Sequence, residues 1–212
     1  KHHDAYILED DYDSEFRYEG RPVAAIQGLD TDGRVIYIGT FSKTLFPSLR
    51  LGFLVLPDSL LTVVKGLKWL VDRHSSSLDQ ISLNLFIQEG RFEQHLRRSR
   101  IQHALRRKVL LEALEQAFGK TILVTGSNAG VHLVVWFPNL SADLGDELGR
   151  AAFAEDVGIY PIAPYYLTAP KMLGLVFGYA YLNEAEIREG IRRFAKVIKS
   201  FSQDNSEGTK TK

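Results

Sequence analysis

Two runs of consecutive apolar residues constrain this chain most: Val35-Ile36-Tyr37-Ile38 and Leu51-Gly52-Phe53-Leu54-Val55-Leu56. Strands apolar at every position are covered on both faces, the pattern of a parallel sheet layered by helices. An α/β architecture follows, because only packed helices supply that cover. Between the runs lies Gly39-Thr40-Phe41-Ser42-Lys43-Thr44-Leu45-Phe46-Pro47-Ser48-Leu49-Arg50. It sets one amine, several hydroxyls and a guanidinium at the carboxyl end of the first run. A third strand candidate, Tyr6-Ile7-Leu8-Glu9, leads into Asp10-Asp11-Tyr12-Asp13, which places acids and a phenol at its own carboxyl end.

Pro57-Asp58 opens a helix with Leu60, Leu61, Val64, Leu67 and Leu70 at helical spacing, and Ser75-Ser76-Ser77 interrupts it. From Leu78 to about Phe118 apolar residues recur at three and four with a break at Gly90, which predicts two helices in series or one bent helix. After Gly119 the texture changes. Thr121–Val124 and Val131–Trp136 read as a hairpin joined through a glycine-bearing turn. A helix over about 142–156, a short strand at 158–160 and another over 173–180 follow. Asn183 and Glu186 form a capping box for a last helix with Ile187, Ile191, Phe194 and Val197 on one face. Residues 202–212 have nothing to bury and are expected to be disordered. The expected organisation is residues 1–90 as part of a large α/β domain, 91–119 as a connecting helix and 120–201 as a small α+β domain. A strand so close to a start without methionine leads to the expectation that the chain is the C-terminal portion of something longer.

The 26 basic and 26 acidic side chains cancel, so no overall field favours nucleic acid or an anionic membrane. No apolar run reaches the roughly 18 residues that span a bilayer. The absence of cysteine excludes disulfides and thiolate metal sites and fits a reducing cytosol. His95 and His103 share a helix without a third ligand at metal spacing, so no metal site is expected. The basic residues Arg97, Arg98, Arg100, Arg106, Arg107 and Lys108 alternate with acids and read as a solvated face.

In open α/β sheets ligands bind beyond the carboxyl ends of the strands, where Lys43 lies. Thr40 and Ser42 offer hydroxyls, and Arg50 a planar fork suited to phosphate. Amine, acid, phenol and phosphate-binding groups together suit pyridoxal 5′-phosphate. A lysine amine forms a Schiff base with its aldehyde and later moves protons at a substrate's α-carbon. An ionised aspartate stabilises the protonated pyridine nitrogen, a tyrosine hydroxyl bonds the ring oxygen, and an arginine with a hydroxyl holds the phosphate.

The stretches ILEDDYDSEFRY at 7–18 and VIYIGTFSKTLFPSLRLGFLVLP at 35–57 resemble the aminotransferase-like domain of MocR-type regulators. GRFEQHLRRSRIQHALRRK at 90–108 and GYAYLNEAEIREGIRRFAK at 178–196 also look like that family, so the resemblance runs to about residue 200. The family joins a GntR-type winged helix to a fold-type-I domain that binds pyridoxal phosphate. The fold implied here is the second half of the large parallel-sheet domain plus the small C-terminal domain. The resemblance matches Lys43 to the Schiff-base lysine and Asp10 to the acid at the pyridine nitrogen, with Asp11 competing. It matches Tyr12 to the residue at the ring oxygen, Arg50 to the phosphate arginine, and Thr40, with Ser42, to the phosphate hydroxyls. No residue in DVGIYPIAPYY at 156–166 matches the substrate-carboxylate arginine, and Arg150, Arg188, Arg192 and Arg193 read as solvated. Three functions stay open: a ligand-sensing regulator domain for an amino acid or amine, a working aminotransferase, or an inactive half-domain. The resemblance also implies a cytoplasmic homodimer when full length, no membrane, and DNA binding only through a winged helix outside this chain.

Overall fold

The computed structural model describes residues 3–21 and 23–208, with 202–208 as backbone only. It comprises two units, Lys1–Arg100 and Ile101–Lys212.

The first unit carries strands β1 (Ile7–Asp11), β2 (Val35–Thr40) and β3 (Gly52–Val55) in the order β1-β2-β3, with a one-turn helix α1 (Ile26–Leu29). Local carboxylates shape the entries to these elements. Asp30 accepts from the backbone N–H of Asp32, Arg34 and Val35 at 2.9, 2.6 and 2.8 Å, and these donors hold its carboxyl below the usual range. Both Glu9 oxygens accept from α1, at Ile26 N and Gln27 N. β1 and β2 are parallel, from Ile7 opposite Val35 to Asp11 opposite Gly39.

β3 departs from the expectation of a parallel strand: it pairs antiparallel with β2, from Tyr37 opposite Val55 to Thr40 opposite Gly52. A parallel return needs a crossover of about a dozen residues, usually a helix. Residues 41–51 hold only tight turns, among them a single 3-10 turn at Pro47–Leu49, so the chain doubles back. The two backbones close tightly there, since a Cβ on Gly52 would lie 2.9 Å from Gly39 O.

Helices α2 (Asp58–Asp72), α3 (Ser77–Gln88) and the start of α4 (Arg91–Phe118) complete this unit. Ser76 caps α3 by accepting from Asp79 N. Gly90, at φ 69°, separates α3 from α4, so the long helical stretch is two helices in series. Among the described apolar residues of this unit only Phe16 and Val35 are buried, whereas Leu8, Leu70, Val71 and Leu78 are all more than two-thirds exposed.

In the second unit β4 (Leu123–Thr125), β5 (His132–Ser141), β6 (Tyr160–Pro161) and β7 (Met172–Gly178) form an antiparallel sheet ordered β4-β5-β7-β6. The β4–β5 turn uses Gly126 and Gly130 at φ 73° and 84°, conformations that glycine adopts without Cβ strain. Leu133, Val135 and Phe137 alternate inward on β5 and pack with Leu173 and Leu175 of β7. α5 (Gly145–Ala154) contributes Leu148 and Ala152, and α6 (Glu184–Gly208) contributes Ile187, Ile191, Phe194 and Ile198. Phe194 centres an aromatic cluster, 6.0 Å from Phe118, 5.9 Å from Phe137 and 5.6 Å from Phe177. Aromatic pairs at such spacings add to the burial of their area.

The capping box closes reciprocally: Asn183 N donates to Glu186 Oε2 at 2.7 Å, and Glu186 N to Asn183 Oδ1 at 3.0 Å. α6 continues to Gly208, past the expected start of a disordered tail at 202, and residues 209–212 of that tail lie outside the described residues. A helix already nucleated by a packed face extends at one hydrogen bond per added residue, which accounts for the extra turns.

Three arginines expected on a solvated face instead bind backbone carbonyls. Arg100 donates to Glu15 O in the first unit, and Arg106 to Ala180 O and Arg107 to Ser127 O in the second. A long side chain on a helix reaches loop carbonyls that secondary structure leaves unsatisfied. No helix among the described residues is long and apolar enough to cross a membrane.

Candidate functional site

Lys43 sits three residues beyond β2, in a turn spanning 41–45. Leu45 N donates to Phe41 O at 2.9 Å and closes it. Thr44 is the anchor, 2% exposed and the buried polar residue of the described chain, while its neighbour Lys43 is exposed. Among the described residues none bonds or ion-pairs with the Lys43 amine. Thr40 Oγ1 accepts from Ser42 N at 3.1 Å and donates to Leu51 O at 3.4 Å. That donation is long enough for a stronger acceptor to take over. The Ser42 hydroxyl has no partner among the described residues.

The β1–β2 register brings the acidic segment beside this turn. Side chains alternate between faces along a strand, so Asp10, opposite Ile38, shares a face with Thr40. Asp11 points to the other face together with Glu9 and Tyr37. There it accepts from Tyr37 Oη at 2.7 Å and from the Ser14 hydroxyl and N–H at 2.8 and 3.2 Å. Burial and the bond to Asp11 keep the Tyr37 phenol protonated well above its ordinary range. Asp10 is exposed and lacks a partner among the described residues. Tyr12 is 40% exposed, and the Asp13 charge, partial burial and the Asp10 charge raise its phenol. The phenol therefore remains a hydrogen-bond donor.

Arg50 ends the Pro47–Leu49 turn in the left-handed conformation, φ 51° and ψ 31°. For a residue with a Cβ this costs about 1–2 kcal/mol, and the turn and β3 on either side hold it there. Its guanidinium has no partner among the described residues and lines a cavity of about 520 Å³ with Phe41, Lys68, Ser75 and Asn84. In the second unit Arg188 pairs with Glu112 at 3.1 Å, and Arg192 and Arg193 with Glu189 at 2.6 and 2.8 Å. Trp136 and Tyr166 pack edge to face at 6.3 Å, whereas Tyr165 is 80% exposed.

Sequence reasoning missed the residues that hold the turn. His95 Nε2 on α4 lies 2.8 Å from Thr44 O, and Phe92 packs edge-on against Phe41 at 5.7 Å. Nothing local in the sequence marks a contact between residues so far apart along the chain.

The sequence pattern of the family Aminotransferase class I and II matches residues 1–194. The chain is 43% identical over 189 residues to the probable rhizopine catabolism regulatory protein MocR of Rhizobium meliloti, covering 89% of this chain and 38% of that protein. It is 37% identical over 201 residues to the HTH-type transcriptional regulator YhdI of Bacillus subtilis, covering 93% and 42% respectively. The resemblance to MocR-type regulators is thus borne out, and the chain spans well under half the length of these relatives. Among solved structures, the Pyrococcus horikoshii kynurenine aminotransferase in complex with PMP superposes with a TM-score of 0.82 at 30% identity, over 92% of this chain and 48% of that one. The expected fold, the second half of a fold-type-I large domain followed by the small domain, is the fold observed. The chain belongs to the aminotransferase class I and II family.

Proposed function

We propose that this chain is the pyridoxal-phosphate-binding, aminotransferase-like part of a MocR/GntR-type transcriptional regulator. One observation carries the reading: an exposed amine follows the carboxyl end of a strand whose parallel neighbour presents an exposed carboxylate, and neither has a partner among the described residues. An amine, a carboxylate, a phenol, hydroxyls and a guanidinium are the donor set that this cofactor takes, so the residues fit it.

On this reading Lys43 holds the cofactor covalently through its amine. Asp10 is the carboxylate at the pyridine nitrogen, since Asp11 is committed to Tyr37 and Ser14 on the opposite face. Tyr12, kept protonated, donates to the ring oxygen. Arg50, Ser42 and Thr40 neutralise and orient the phosphate. When bound, the cofactor supplies an electron sink for a substrate's α-carbon. Lys43 supplies the base that moves the proton there.

The division of the chain follows the same reading: residues 1–90 belong to the large cofactor domain, 91–119 connect, and 120–201 form the small domain. The relatives' HTH-type names support a regulator that reaches DNA through a winged helix outside these residues. The amino acid or amine would then be its signal, and the full-length protein a cytoplasmic homodimer. A second reading, a working aminotransferase, is favoured by the superposition on a kynurenine aminotransferase.

Addition of pyridoxal phosphate to the full-length protein should produce a visible absorbance band that Lys43→Ala abolishes with little change in melting temperature. Identical spectra from the two proteins would remove Lys43 as the anchor. Keto-acid formation from a panel of amino acids would favour the second reading.

A further inference from the structure

We propose that His95 is a positioning residue for Lys43, a proposal that rests on the cofactor reading above. The peptide unit between Thr44 and Leu45 is held at both of its ends. Its N–H donates to Phe41 O at 2.9 Å, and its carbonyl lies 2.8 Å from His95 Nε2. A carbonyl only accepts, so the ring nitrogen is the donor. A peptide unit is planar, and a residue has only two soft backbone dihedrals. Two bonds on one plane, with the Thr44 side chain buried beside it, therefore fix the backbone at Thr44, the residue next to Lys43, and limit how far the Lys43 backbone can shift.

Two further contacts brace the clamp, while Ser99 Oγ, one turn along α4 and 3.3 Å from the same ring nitrogen, is only a weaker second acceptor for its proton. The His95 ring lies 6.5 Å from Phe86 of α3. Phe92, one turn before His95, packs on Phe41 at the start of the turn. The turn is also joined to β3 and the residue before it, through the Phe41–Phe53 ring contact and the bond from Phe41 N to Leu51 O. Lys43 needs such a clamp because its four-carbon stem is flexible and its amine has no partner of its own among the described residues. Attachment at Lys43 and charge pairing at Asp10 must be met at once, and groups that cooperate in a site must be held to about 0.5 Å. A restraint on the backbone near the amine leaves the amine itself free to react.

Two variants separate donation from packing. His95→Phe keeps a ring beside Phe86 but removes the donor, whereas His95→Gln restores an N–H at nearly the reach of Nε2. Amide hydrogen exchange of residues 42–46, read on the full-length protein without cofactor, should quicken roughly tenfold in His95→Phe and return toward wild type in His95→Gln. Titration with pyridoxal phosphate should show the visible band forming with roughly tenfold weaker apparent affinity in His95→Phe, again recovered in His95→Gln. A melting curve for each variant tells local loosening from global unfolding. Unchanged exchange in His95→Phe, or faster exchange with an unchanged titration, overturns the proposal. A wild-type protein that forms no band would defeat the Lys43 reading and with it the purpose of the clamp. The cofactor-free exchange result separately decides whether the clamp exists.

Discussion

The two units solve the same problem to different degrees. In the second, helix faces and alternate strand residues meet in one dry core that runs from Leu114 through Leu133, Leu175 and Phe194, all at most 1% exposed. In the first, sheet and helices are equally regular, yet α2 and α3 contain no buried residue. Regular secondary structure and a satisfied hydrophobic surface are thus separate achievements. Hydrogen bonding, caps and periodicity deliver the first, and only tertiary partners deliver the second. The candidate site lies in the less buried unit, and its turn is pinned by individual polar bonds and ring contacts.

The tryptophans report on the two units separately, Trp69 from the first and Trp136 from the second. The largest contrast should come from truncating equivalent apolar side chains. Phe194→Ala should lower the stability of the unit containing Trp136 by about 3–5 kcal/mol in urea unfolding. Leu70→Ala, at a position 71% exposed, should change the Trp69 transition by less than about 0.5 kcal/mol. A comparable loss at Leu70 would mean that the first unit buries that face in solution.

A middle-sized contrast concerns two packed glycines. A Cβ on Gly174 would meet Ile162 at 2.5 Å and the Trp136 ring at 2.6 Å, within the sheet of the second unit. A Cβ on Gly39 would meet the Phe53 ring at 2.4 Å, but Phe53 is 43% exposed and has room to swing away. Gly174→Ala should therefore destabilise by about 1–3 kcal/mol, and Gly39→Ala by less. Because Phe53 also packs on Phe41 at 5.5 Å, Gly39→Ala should still weaken the cofactor band. Equal losses of stability would show that both units are packed with the same rigidity.

The smallest effect is on pH dependence. Tyr37 titrates above its ordinary range in the folded state, so its contribution is complete below pH 10. It is lost as pH rises, because the unfolded phenol ionises first. Glu189 lies the other way, lowered to about 2 by its hydrogen bonds and charges from Arg192 and Arg193. Its contribution is present above the ordinary value of 4.5 and is lost as pH falls toward 2; full exposure keeps it small. The Trp69 midpoint should fall on the alkaline side and the Trp136 midpoint slightly on the acid side. The reverse order would refute both assignments.

Much of this was legible in the chain. Asn183 and Glu186 announced their capping box because a cap depends on residues three apart. Ser76 and Gly90 marked helix boundaries for the same local reason. Lys43 and Arg50 stood out by their place after a strand-forming run. The sense of β3 was not legible, since two apolar strands read alike whichever way the second runs. The bond between Asp11 and Tyr37 was equally hidden, because adjacent carboxylates differ only in the face to which the pleat assigns them. The arginines of α4 read as solvated because their acceptors are carbonyls far along the chain.

The sequence by itself determined the periods, caps and turns, the family to which they belong, and the amine at which a site is proposed. These depend on neighbours within one or two turns, whose chemistry is written side by side. Tertiary structure alone decided that β2 and β3 run opposite ways, that Asp11 accepts from Tyr37, and that His95 grips the carbonyl beside Lys43. Each of those outcomes requires the backbone to return across many residues, and where it returns is set by the whole packing rather than by any local pattern.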